Sequence, residues 1–286
     1  MEIHQEANQH EGNNWIVVTD LDGTLLDHHN YSFEAALETL EKLKRHKMPI
    51  IINSSKTASE IEELRSSLNN QHPFIVENGS GLMIPKNYFA NQPEGSESLG
   101  PYWEVTLGKP RTELIEKLNK LPPEFKQYYR SYHQSSVEDI MRITSLSREQ
   151  AECSMDRRYT EPLQWLGNSD QRKQFFWHLH KQHIHFTEGG RFIHLMGHTN
   201  KGSATTWLAK HYEKEYQKKV KIVALGDGNN DVDMLKAADV AIVVKSPVNK
   251  PPKFEHRCKI MTDKTGPEGW SEAIETLFFE HIETEL

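Results

Sequence analysis

Ten residues near the amino terminus, Trp15-Ile16-Val17-Val18-Thr19-Asp20-Leu21-Asp22-Gly23-Thr24, constrain this chain more than any other stretch. An apolar run that ends in two carboxylates one residue apart, followed by glycine, reads as a buried strand with chemistry at its C-terminal end. In an extended chain the side chains at i and i+2 point the same way, so Asp20 and Asp22 can face one pocket. Gly23 lets the backbone turn sharply, leaving Thr24 free to contact a ligand. Two carboxylates in one pocket are costly unless a cation or a shared proton compensates them, so the pocket calls for a metal or for one protonated Asp.

A second run of the same kind lies two hundred residues downstream. Val220-Lys221-Ile222-Val223-Ala224-Leu225 ends in Gly226-Asp227-Gly228-Asn229-Asn230-Asp231. Two apolar strands, each ending in an Asp/Gly turn, are what an open α/β sheet needs to bring carboxylates together at one crevice. Between them, Phe33, Ala36, Leu37, Leu40 and Leu43 recur at helical spacing behind Ser32. Pro49 to Asn53 reads as a strand, Ile61, Leu64 and Leu68 as a helix, and Phe74 to Gly79 as a third strand and turn. The β-α-β-α order predicts a Rossmann-like parallel sheet with right-handed crossovers.

From about Pro85 the alternation dissolves, and an inserted α+β domain is expected over residues 86–196, with helices at Thr112 to Lys120, Val137 to Ile143 and Asp170 to His183. Strands at Ile184 to Phe186 and Phe192 to Leu195 close it. The core domain then comprises residues 15–85 and 197–286, behind a mobile tail of residues 1–14. In the resumed core a helix opens at Asn200-Lys201-Gly202. Further elements follow the Asp227 strand: a short helix with Met234 and Leu235, a strand from Val240 to Val244, and a last helix near Ser271 to Phe279.

With 34 basic and 41 acidic residues the formal charge is −7, which argues against a general nucleic-acid binder and requires a local basic pocket for any small anionic substrate. Apolar runs fall short of the roughly 18 residues of a membrane span, and the polar start lacks the order of a secretion signal, so a cytoplasmic protein is expected. Cys153 and Cys258 form neither a disulfide framework nor a paired metal motif.

The two acidic segments, Asp20-Leu21-Asp22-Gly23-Thr24 and Gly226-Asp227-Gly228-Asn229-Asn230-Asp231, resemble the haloacid dehalogenase superfamily of phosphotransferases. The resemblance implies that Asp20 is the nucleophile, Asp22 the general acid/base, and Asp227 a ligand of Mg²⁺, with Asp231 supporting the metal shell. The carbonyl of Asp22 would be a further ligand. Ser54 stands where that superfamily binds the phosphoryl group, and Lys201 matches its lysine. A hydroxyl, backbone N–H groups and a cation gathered at a helix N-terminus also make an anion site on physical grounds.

An insertion after the third strand is similar to the type IIB cap. Within that branch four segments resemble mannosyl-3-phosphoglycerate phosphatases: Asn53-Ser54-Ser55-Lys56-Thr57, Arg157-Arg158-Tyr159-Thr160-Glu161-Pro162, Gly189 to His194, and Gly266-Pro267-Glu268-Gly269-Trp270. Two departures fall in the cap, where Arg158 replaces an acidic residue and Thr160 a serine. The resemblance implies a phosphorylated sugar-glycerate as the small-molecule partner, read by Ser54, Ser55 and Lys56 from the core. From the cap, Arg157 or Arg191 can grip a carboxylate bidentately, and Glu161 suits sugar hydroxyls. A phosphatase for another sugar phosphate, or a phosphosugar mutase, would share the same core motifs.

Overall fold

The computed structural model describes residues 14–189 and 191–280. The expected N-terminal tail lies outside the described residues, apart from Asn14. At the centre of the large sheet runs β1 (Trp15–Thr19), flanked in parallel by β2 (Ile50–Asn53) and β11 (Lys221–Gly226). Thr19 is level with both Ile52 and Leu225, so Asp20, Asn53 and Gly226 leave the three strands in one row. The sheet continues through β12 (Val240–Lys245) and β13 (Lys259–Thr265) on one side and β3 (Phe74–Val76) on the other, all parallel. Strand period dictates its two apolar faces. Ile16 and Val18 look towards α7 (Lys201–Tyr216) and α8 (Val232–Ala237). Val17 looks towards α1 (Leu37–Arg45), α2 (Ala58–Ser67) and α9 (Gly266–Phe278). The α/β class and the parallel order are as the alternating pattern predicted.

Local chemistry explains several helix starts. Thr57 caps α2 in a capping box with Glu60, its hydroxyl accepting the Glu60 N–H at 3.1 Å. Asn200 does the same for α7 through the Ser203 N–H, at 2.8 Å. Ser32 accepts the Glu34 N–H at 3.2 Å, but what it starts is a tight 3₁₀ turn, Glu34–Ala36, ahead of α1.

Three further strands extend the large sheet antiparallel: β4 (Gly81–Pro85), β6 (Tyr102–Thr106) and β5 (Ser96–Leu99). The last two fall within residues 86–196, the span assigned to the insertion, yet they hydrogen-bond into the core sheet. β5 is Ser-Glu-Ser-Leu and largely exposed, an edge strand without an apolar face, and so carries no periodic signal. The same polarity hides β13, of whose seven residues only Thr262 is buried.

A second, antiparallel sheet orders as β7 (Tyr129–Ser131), β8 (Glu161–Trp165), β10 (Phe192–Met196) and β9 (His185–Gly189). Helices α3 (Arg111–Asn119) and α6 (Ser169–Lys181) cover one face over Leu118, Leu163, Phe175, Leu179 and Ile193. The pair α4 (Val137–Thr144) and α5 (Arg148–Met155) packs on Tyr132 through Ile140 and Ala151. The chain enters and leaves this unit side by side: a Cβ on Gly197 would stand 2.7 Å from the Lys109 nitrogen.

Candidate active site

The turn after β1 is closed by its own backbone, with Leu21 O accepting from the N–H groups of Thr24 at 3.0 Å and Leu26 at 2.8 Å. Gly23 has φ +79°, and a Cβ there would stand 2.9 Å from Asp227 Oδ2, so this turn needs glycine for conformation and for space. At the end of β11, Asp231 folds back beneath the loop. Its Oδ2 accepts the N–H groups of Asp227 at 3.1 Å and Gly228 at 2.9 Å. A Cβ on Gly226 would lie 2.5 Å from the Asp231 Cβ, so glycine also clears the way for that fold-back.

The Lys201 side chain lies fully buried at the start of α7, its Nζ donating to Asp20 Oδ1 at 2.5 Å and Asp231 Oδ1 at 2.7 Å. Behind it, Asn53 Nδ2 donates to the Lys201 carbonyl at 3.0 Å. The carboxylates of Asp20, Asp227 and Asp231 converge, one oxygen from each lying within 4.8 Å of the others, all buried. Burial first and Asp231 second push the Asp20 carboxyl up to about 8, against the opposing pull of Lys201, and the same two causes raise Asp227. Three carboxylates around one ammonium leave two charges uncompensated, the donor set of a hard divalent cation. Both Asp231 oxygens are engaged by the lysine and the loop amides, so Asp20 and Asp227 would be the direct ligands. Asn249, which carried no sequence signal, donates to Asp227 Oδ2 at 2.9 Å.

The Asp22 carboxylate has a place of its own, apart from the metal-ligand role expected of the Asp22 backbone carbonyl. It stands outside the acidic cluster, half-buried, with Oδ2 3.0 Å from Lys56 Nζ. Lys56 thus reaches the acid/base candidate, and Tyr31 covers its ammonium at 5.3 Å. Burial would lower the Lys56 pKa, but Asp22 and Glu60 more than offset that and hold the lysine charged. Ser54 is buried at the end of β2, where its hydroxyl accepts the Lys56 N–H at 3.3 Å. Asp20, Lys201, Asp227 and Asp231 therefore meet in one acidic subsite, and Asp22 with Lys56 forms a second, with Ser54 bonded to the Lys56 N–H.

The cap residues are placed differently. Glu161, read as a sugar acceptor, is fully buried with both oxygens taken, by Arg111 Nε at 2.6 Å and the His133 N–H at 2.8 Å. Arg157 donates to the Ser55 carbonyl at 3.1 Å and Thr160 Oγ1 at 2.9 Å, so it ties cap to core instead of presenting a free fork. Arg191 is exposed and donates to the Ile143 carbonyl at 2.6 Å. Sequence reasoning missed Glu77, whose buried carboxylate accepts the backbone N–H groups of Arg158 at 2.8 Å, Tyr159 at 3.2 Å and Thr160 at 2.8 Å. Its only signal was the turn-like Glu77-Asn78-Gly79. The departure at Arg158 has a partner, Glu104, at 2.5 Å, and Tyr159 donates to the same oxygen.

His194 is buried on β10, and its pKa is lowered from the ordinary 6.5 to about 3 by burial and then by the Arg157 charge. Below pH 6.5 the unfolded chain takes up a proton that the folded one refuses, so stability is complete above that value and declines as pH falls towards 3. His194→Gln should flatten this decline by up to about 1.4 kcal/mol per pH unit. Denaturant titrations at pH 7, 6, 5 and 4 check it, and parallel slopes for variant and wild type would refute it.

Residues 17–274 match the family model of haloacid dehalogenase-like hydrolases, and the chain belongs to that family. It is an enzyme, a phosphoric monoester hydrolase. Among curated relatives, the glucosyl-3-phosphoglycerate/mannosyl-3-phosphoglycerate phosphatase of Persephonella marina is 33% identical over 260 residues, covering 91% of this chain and 95% of that one. The protein of the same name from Methanococcoides burtonii is 32% identical with the same coverage. Among solved structures, the phosphatase BT1666 of Bacteroides thetaiotaomicron shares the fold at TM-score 0.64 and 18% identity, covering 94% of this chain and 96% of its own. The subclass IIB sugar phosphatase BT4131 shares it at 0.60 and 15%, covering 92% and 98%. No helix among the described residues is long and apolar enough to cross a membrane.

Proposed function

We propose that the protein is a Mg²⁺-dependent phosphatase that converts mannosyl-3-phosphoglycerate, or the glucosyl compound, to glycosylglycerate and phosphate. The observation that carries the reading is the division of the two aspartates: Asp20 is held by Lys201 beside Asp227, while Asp22 is turned away to Lys56. A Lys201-fixed carboxylate is a positioned nucleophile, and the neighbouring Asp22 carboxyl, outside the acidic cluster, is placed to exchange a proton with the leaving oxygen and then with water. The sugar-glycerate substrate is supported by the relatives at 33% and 32% identity.

In the proposed reaction an Asp20 oxygen attacks phosphorus in line with the glycerate oxygen. The P–O bond to glycerate breaks as the aspartyl-phosphate bond forms, and the Asp22 carboxyl protonates the departing oxygen. Asp22, now ionised, takes a proton from water that attacks the aspartyl-phosphate, releasing phosphate and restoring both residues. The Ser54 hydroxyl and Lys201 ammonium are the protein's donors to the transferring oxygens. Mg²⁺ held by Asp20 and Asp227 would supply charge neutralisation on those oxygens. The four-stranded unit serves as the cap that selects the leaving group.

Phosphate release from mannosyl-, glucosyl- and plain 3-phosphoglycerate, measured side by side, tests the reading. Both glycosyl esters should turn over about tenfold or more faster than the plain one. Equal rates on all three would remove the sugar from the assignment, and dependence on a bisphosphate activator would make the protein a mutase. EDTA should abolish turnover. Mg²⁺ should restore it and Ca²⁺ should not, because the larger ion accepts more oxygens and would engage the one Asp20 needs for attack. Full activity with Ca²⁺ alone would refute the metal assignment.

A further inference from the structure

With Glu161 and Arg157 bonded within the protein, the sugar of the ester must be read by other side chains. Its place follows from the acid. The departing oxygen has to meet the Asp22 carboxyl, whose Oδ2 lies 3.0 Å from Lys56 Nζ, and that ammonium lies 5.3 Å from the centre of the Tyr31 ring. Lys56 alone separates ring from carboxyl, so a group joined to the departing oxygen through a few bonds comes within reach of the ring. Glu60 stands 4.0 Å from the same ammonium and 3.9 Å from Arg157 Nη2, which puts acid, lysine and ring where the cap meets the core.

The backbone under Tyr31 points the same way. Its φ is 57°, a left-handed conformation that suits glycine or asparagine and is costly for a bulky aromatic residue. The loop enforces it: Asp27 Oδ1 accepts the N–H groups of His29 at 2.8 Å and Asn30 at 3.0 Å, and the Tyr31 N–H donates to the Asp27 carbonyl at 3.1 Å. The Asp27 N–H closes the turn on the Ser32 carbonyl at 2.8 Å. Packing does not offset this cost, because the side chain belongs to neither apolar face of the large sheet and is 46% exposed. A strained, exposed ring beside the leaving-group acid is what a ligand clamp looks like before its ligand arrives.

We propose that Tyr31 is a specificity residue whose ring is a stacking platform for the sugar of the ester. The C–H bonds on the face of a pyranose are weakly positive and the face of an aromatic ring is negative, so the two attract while both shed water. A carboxylate or phosphoryl group would be repelled by that face and drawn to the Lys56 ammonium instead. The occupant is therefore the sugar and not the glycerate. The inference rests on the glycosyl-phosphoglycerate reading of the site and deepens it.

Two variants test it. Tyr31→Asn removes the ring and keeps the turn, since asparagine tolerates the left-handed region; Tyr31→Phe keeps the ring and removes only the hydroxyl. On the glycosyl-phosphoglycerate that the wild type prefers, kcat/KM of Tyr31→Asn should fall about 10-fold further than on plain 3-phosphoglycerate, mostly through KM, while Tyr31→Phe stays within about threefold of wild type on both. Where the plain ester turns over too slowly to compare, its inhibition constant against the glycosyl ester replaces the rate. Equal losses on the two esters would mean that the ring only screens Lys56 and Asp22, and no loss on either would leave Tyr31 a surface residue. Tyr31→Phe as impaired as Tyr31→Asn would make the hydroxyl the contact. Each of these overturns the proposal. Should the wild type hydrolyse plain 3-phosphoglycerate as fast as both glycosyl esters, the substrate reading fails on its own. The same comparison, made between whichever sugar phosphate the wild type prefers and glycerol phosphate, still decides Tyr31.

Discussion

Asp20→Asn should lower turnover by about 10⁴-fold or more, equivalent to more than about 5 kcal/mol of transition-state stabilisation, while the protein stays folded. The amide is nearly isosteric with the carboxylate, but its oxygen is no nucleophile towards phosphorus. Stability should hold or rise, because the substitution removes one of three converging carboxylates from a buried pocket and leaves Lys201 its bond to Asp231. Phosphate release together with a thermal melt checks both halves. Retention of even a tenth of wild-type activity would move the nucleophile elsewhere.

Lys201→Met should cost both activity and stability. Methionine matches the lysine stem up to Cε and removes the only ammonium in contact with Asp20 and Asp231 among the described residues, leaving two buried carboxylates face to face. Breaking a buried ion pair from one side costs about 3–5 kcal/mol, and loss of the donor should lower turnover by about 10³-fold. The pH dependence separates this cause from general damage. Asp20 in the folded protein already titrates at about 8, above its ordinary 3.8, so between those values the folded state holds a proton that the unfolded state has lost. Stability from that source is present at low pH and is lost as pH rises through the window. Without Lys201 the effect grows. With EDTA present, the variant should approach wild-type stability near pH 5 and fall away from it towards pH 8. A deficit constant across that range would mean that packing, not charge, is what the lysine provides.

Much of this was legible in the chain because the core elements are periodic and their ends carry unambiguous chemistry. Ile16 to Val18 and Ile222 to Leu225 are buried on both faces, so each reads as a continuous apolar run, and the Asp/Gly turns that follow mark the crevice. The helix starts at Thr57 and Asn200 follow from capping chemistry that acts over three residues. Long-range pairing was not legible. Glu161 looks like an available acceptor until Arg111, fifty residues earlier, is placed against it. Arg157 likewise resembles a substrate fork until the Ser55 carbonyl, one hundred and two residues away, takes one of its donors. Glu77 was invisible for the opposite reason: its partners are backbone amides, which every sequence contains. The strands β5 and β13 escaped because a polar edge strand buries too little to leave a pattern.

The adjacency of the two connectors at Lys109 and Gly197 has a consequence for how such a protein can be built. Because the inserted unit starts and finishes almost at one point, the large sheet is indifferent to the amount of chain between those residues, and a short bridge would close the gap. The core is thus a chassis that accepts exchangeable modules, with one restriction. Glu77 lies buried with its carboxylate facing the amides of residues 158–160, so any replacement module must bring its own row of N–H groups to that spot or strand a charge in the interior. The docking socket, rather than the splice points, limits which modules the chassis can carry.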